Sequence, residues 1–186
     1  MIIEKKFLPL QPFVIAINGL KQGSTQFDWR ADAKFFGNFE NSDILDASLD
    51  LQVQTSRNTG YLGVECNIKG SVEVVCDRCL ENLTLPVDTS FRLSVKFSAA
   101  GSEDGEGIVR TDCGDMEIVM LPEGEAELDL SQFIYDYVCT SLPMRRVHPE
   151  GECNPSATRY LNSEETAEDS AAAQQSPFAA LKDMLK

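Results

Sequence analysis

The chain has 186 residues, 42% of them hydrophobic and 25% charged, which is ordinary for a folded globular protein and enough for one sizeable core. With 30 acidic against 16 basic residues its net charge is −14, which excludes a surface that grips phosphate backbones by bulk positive charge. No run of ~18 apolar residues exists, and "MIIEKKFLPL" lacks the apolar stretch and cleavage site of a signal peptide, so a cytoplasmic protein with no membrane association is expected.

Residues 1–43 carry the weakest pattern. "FVIAINGL" reads as a strand with a turn at Asn18-Gly19, and "FDWRADAKFFGNF" alternates only in patches, so the entry region is expected to be β-rich. From Ile44 to Ala99 the period is clear. In "ASLDLQVQT" the residues Ala47, Leu49, Leu51 and Val53 fall on one face, opposite Ser48, Asp50, Gln52 and Gln54. "YLGVECNIKG" repeats the pattern with Leu62, Val64, Cys66 and Ile68 inward, and "SRNTG" between the two supplies turn residues. "SVEVVC" and "LTLPVDTSFRLSVKF" continue an antiparallel meander. Cys66, in an inward slot between Val64 and Ile68, is expected to be a core residue.

"AAGSEDGEGIVRTDCGDME" is rich in Gly, Asp and Glu and reads as a solvated loop. "LDLSQFIYDYVCTSLP" places Leu130, Phe133, Ile134, Tyr137, Val138 and Ser141 on one side at helical spacing. Asp129 or Ser131 caps its start, Pro143 ends it, and Cys139 lies off the buried stripe. "SATRYLNSEETAEDSAAAQQ" is polar and acidic, a linker. "SPFAALKDMLK" has the marks of a short helix, with Ser176 as cap, Pro177 at its first position and Phe178, Leu181 and Leu185 on one face. At eleven residues it is too short to be stable unless docked. The expected architecture is therefore α+β: a predominantly antiparallel β-meander in a β-rich domain over 1–153 with one packed helix, an acidic linker over 154–175, and a docking helix over 176–186.

Six cysteines in a reducing compartment point to metal binding, catalysis or burial rather than a disulfide framework. Cys76 and Cys79 form a Cys-x-x-Cys pair in "VCDRCLENL", at a turn between two strands. Three readings apply: half of a zinc knuckle, reduced thiols in a tight turn, or a redox pair. The redox reading needs the first cysteine at a helix N-terminus, and both flanks here have strand character. The zinc reading needs two more ligands, which "VHPEGEC" offers as His148, the sole histidine, and Cys153. Four protein ligands leave no open position for water, so such a zinc is structural. No Ser-His-acid set, glycine-rich phosphate loop or His-Glu-x-x-His is present, so neither an enzyme nor a small-molecule substrate is expected.

"VCDRCLE" after a β-meander, a helix running into "SLPMRRVHPEGEC", and a final "PFAALKDMLK" together resemble the bacterial large ribosomal RNA subunit accumulation protein family, YceD. The resemblance covers about residue 45 to the C-terminus. It implies a small cytoplasmic factor needed for normal levels of large-subunit (23S) rRNA, acting in processing or assembly, with no established catalysis. The family's cysteine pair falls on Cys76 and Cys79, its Leu-Pro and His positions on Leu142, Pro143 and His148, and its later cysteine on Cys153. Cys66, Cys113 and Cys139 stand outside the pattern. The partners expected are large-subunit rRNA, contacted through Arg78, Arg145 and Arg146 as phosphate ligands, or basic ribosomal proteins drawn to the acidic chain. The alternatives from other classes are a cytosolic thiol-disulfide oxidoreductase using Cys76 and Cys79, and a zinc-stabilised interaction module without a ribosomal role.

Overall fold

The computed structural model describes residues 13–40, 42–58, 60–98, 109–113, 116–122 and 124–158. The chain divides into two compact units, one of residues 1–75 with 82–146, the other of residues 76–81 with 147–186.

The first unit is built on the alternation of "ILDASLDLQVQTSR". β3 (Ile44–Arg57) buries Ala47, Leu49, Leu51, Val53 and Thr55 and exposes the residues between them. It pairs antiparallel with β4 (Leu62–Val75), and β4 with β5 (Asn82–Ser98), in the register Val53↔Cys66↔Phe91. Rows of inward side chains thus run across the sheet, the cross-strand contacts that stabilise it. At Gly70, whose φ is +151°, a Cβ would collide with the Ser48 carbonyl oxygen, so only glycine lets β3 and β4 close there.

β2 (Gly23–Asp32) extends the meander beside β3. On the other side β7 (Met116–Pro122) lies parallel to β5 and antiparallel to β6 (Val109–Cys113), giving the order β2-β3-β4-β5-β7-β6. A separate pair joins β1 (Val14–Ala16) to β8 (Glu127–Asp129). The protein is α+β and mostly β, as the alternation predicts. The segment expected to be a solvated loop instead contains β6 and the start of β7. The Gly and Asp content of that segment hides the strands in it, and the buried residues of β7, Val119 and Leu121, lie just beyond its end.

α2 (Ser131–Ser141) is the expected helix. The Asp129 carboxylate accepts from the Ser131 N–H at 2.8 Å, and the helix stops before Pro143. Phe133, Ile134 and Val138 are buried, and Phe91 of β5 stacks on Tyr137 at 4.7 Å. The entry region adds α1 (Ala33–Phe36), capped by Asp32, whose carboxylate accepts from the Lys34 and Phe35 N–H groups. Phe13, Phe35, Phe39 and Tyr135 form a chain of ring contacts, closest between Phe39 and Tyr135 at 4.1 Å. Arg57 donates to the Ile17 and Leu20 carbonyls, which fixes the turn before β2.

In the second unit, the first residues of the expected linker form a short helix, α3 (Pro155–Thr158). The rest of that linker and the helix expected over 176–186 lie outside the described residues. No helix among the described residues is long and apolar enough to cross a membrane.

Candidate metal centre

β4 ends at Val75 and β5 begins at Asn82, so six residues, Cys76–Glu81, make the connection. The Cys76 N–H donates to the Glu81 carbonyl at 2.8 Å and the Leu80 N–H to the Cys76 carbonyl at 3.0 Å. Closing the turn this way sets Leu80 at φ +60°, a left-handed conformation that costs a residue with a Cβ roughly 1–2 kcal/mol. The Arg78 N–H points at the Cys76 sulfur, 3.5 Å away. Both cysteines are buried.

The second segment turns at Pro149-Glu150-Gly151-Glu152, with Gly151 at φ +88° and the Glu152 N–H donating to the Pro149 carbonyl at 3.1 Å. Beyond Cys153, Asn154 caps α3, its Oδ1 accepting from the Ser156 N–H at 2.9 Å, with Pro155 at the first helical position. The other end of the same amide donates to the Glu81 carboxylate at 2.6 Å, tying this segment to the Cys76–Glu81 turn.

The sulfurs of Cys76, Cys79 and Cys153 and a ring nitrogen of His148 all lie within 4.8 Å of one another, an arrangement compatible with a metal site. Cys76 and Cys153 sulfurs are 4.0 Å apart. His148 Nδ1 lies 3.4 Å from the Cys79 sulfur and 3.9 Å from that of Cys153. Burial acts to raise the Cys76 thiol, but the N–H groups of Cys79, Arg78 and His148 and the Cys79 side chain outweigh it and bring Cys76 down to about 6. Burial, then the neighbouring thiols of Cys79 and Cys76, hold Cys153 above the ordinary thiol value. The surroundings thus favour the Cys76 thiolate and disfavour that of Cys153, the conflict expected where anionic ligands converge.

The remaining cysteines stand apart. Cys66 is fully buried in β4, and burial alone pushes its thiol up to about 12, as suits an inert core residue. Cys139 is half-buried on α2, raised by burial. The Cys113 side chain lies outside the described residues. Of the arginines, Arg78 is half-buried in the turn and Arg145 is exposed, while Arg146 is ion-paired with Asp43 at 3.1 Å. Sequence reasoning did not single out Leu80, Glu81 or Asn154. The first is visible in principle, because a leucine stands in "CDRCLE" where a tight turn favours glycine or asparagine.

The chain matches the family model described as "Large ribosomal RNA subunit accumulation protein YceD" over residues 64–185. It belongs to that family. The matched stretch contains all four residues of the cluster. The YceD family is described by the accumulation of an RNA and not by a reaction. Comparison with curated proteins and with solved structures finds no match.

Proposed function

We propose that this YceD protein is a non-enzymatic cytoplasmic factor that supports the processing or assembly of large-subunit rRNA, and that Cys76, Cys79, His148 and Cys153 hold a structural zinc. The family match carries the ribosomal reading. The zinc reading is supported by shape. A tetrahedral ion with Zn–S of about 2.3 Å and Zn–N of about 2.0 Å needs S···S edges near 3.8 Å and S···N edges near 3.5 Å. Three of the six edges here are 4.0 Å (S···S) and 3.4 and 3.9 Å (S···N), and all six lie within 4.8 Å. A divalent ion also removes the conflict among the thiols, since coordinated thiols are deprotonated outright.

Zinc held by four protein ligands has no open position for an attacking water, so the site stabilises structure instead of activating a nucleophile. The oxidoreductase alternative fits less well, because Cys76 opens a strand-to-strand turn where a reactive thiolate of the thioredoxin type opens a helix. The deciding experiment is depletion of the protein with large- and small-subunit rRNA measured separately. The expected result is a fall in 23S relative to 16S rRNA, and an unchanged ratio overturns the reading.

A further inference from the structure

Leu80 is out of place on two counts. Among the described residues it is the one non-glycine with positive φ, and its side chain is 76% exposed. Glycine would satisfy the same backbone more easily. A polar residue would satisfy the solvent. Packing within the turn therefore does not account for the leucine.

The described charged residues of its unit are predominantly acidic. In residues 76–81 and 147–158 there are four carboxylates, on Asp77, Glu81, Glu150 and Glu152, against one guanidinium, on Arg78. All four acidic residues are exposed. An ion of charge +2 held by three thiolates and a neutral imidazole leaves the centre itself negative. Phosphate backbones bind where Lys and Arg displace counterions, and this unit offers the opposite field. An exposed apolar side chain in a turn that also carries Asp77 and Glu81, within a unit of net negative charge, is complementary to an apolar pocket rimmed by lysine and arginine.

We propose that Leu80 is the anchor through which the Cys76–Glu81 turn docks on a basic protein of the large subunit. This rests on the ribosomal reading above for the partner's source, while the chemistry of the contact rests on the turn. The test uses the full chain with wild-type Leu80, Leu80→Gly and Leu80→Asp. Two probes are offered separately: RNA-free protein extracted from purified large subunits, and protein-free 23S rRNA.

The wild type is expected to bind the protein probe. Leu80→Gly should keep about one zinc per chain and melt at the same or a higher temperature, yet bind at least ten-fold more weakly. Leu80→Asp should bind more weakly still. A merely structural leucine gives the reverse pattern, with lower melting or lost zinc, and overturns the proposal. It is equally overturned by Leu80→Gly binding as tightly as the wild type, or by no binding to the protein probe. Preferential binding to the 23S probe, weakened by Arg78→Ala or Arg145→Ala, assigns the partner to RNA instead. A 23S to 16S ratio that ignores depletion removes the ribosomal role, whereas equal binding by Leu80→Gly removes only the anchor.

Discussion

In the six-stranded sheet, Leu49, Leu51, Val53, Cys66, Ile68, Phe91 and Leu93 bury one another in continuous rows across neighbouring strands. Among the described residues of the second unit, 76–81 and 147–158, the buried side chains are Cys76, Cys79 and Cys153. The sheet draws its stability from apolar area, at roughly 25 cal/mol per Å² removed from water. The described residues 76–81 and 147–158 bury three thiols and no aliphatic or aromatic side chain, so the order among them is expected to come from the proposed metal instead. With zinc bound as proposed, one chain uses two sources of order, and each is expected to be removable without the other.

The largest separation is expected from removing the metal. A chelator, or Cys76→Ser, should take zinc from about one per chain to near zero. Amide protection at 76–81 and 147–158 should then be lost by orders of magnitude, because metal binding of ~10 kcal/mol is also the folding energy of such sites. β3, β4 and β5 should stay protected in the same hydrogen-exchange experiment. If the strands lose protection in step with the cysteine turn, the two sources are not independent.

Leu51→Ala works from the other side. It deletes a fully buried side chain from the middle of β3 and should cost ~2–5 kcal/mol in denaturant unfolding of the sheet, with zinc content unchanged. Loss of zinc in the folded variant would break the comparison. The smallest effect is expected at Asn154. Asn154→Ala should cost ~1 kcal/mol and lower zinc affinity about ten-fold in a competition titration, through loss of the bond to Glu81. Asn154→Asp keeps the α3 cap but cannot donate to Glu81. It should therefore lose zinc affinity as well, which separates the tie from the cap.

What the sequence disclosed follows the same division. β3, β4 and β5 are legible because one face of each is buried and the other wet, so period 2 survives in Ala47 to Val53 and Leu62 to Ile68. β2 is harder because it is an edge strand whose inward residues, Phe27 and Trp29, are only half-buried, which blurs the contrast. β6 and the first residues of β7 were hidden by composition, and the parallel pairing of β5 with β7 has no local signature. The cluster was legible for a different reason. Cysteine and histidine are scarce and chemically specific, so two short motifs suffice to nominate four residues 77 positions apart at the extremes. Leu80 escaped because the letter alone shows only a leucine in a tight turn, while the φ angle and the exposure that make it odd come from the fold.

The span between the two halves of the cluster also sets a clock. His148 follows Cys79 by 69 residues, and translation at roughly 5–20 residues per second delivers it several seconds later. During that interval the nascent chain carries an unfinished pair of thiols, open to any ion or oxidant that arrives first. With zinc bound as proposed, cells starved of zinc, or under peroxide, should damage the protein while it is being made far more than after it is finished.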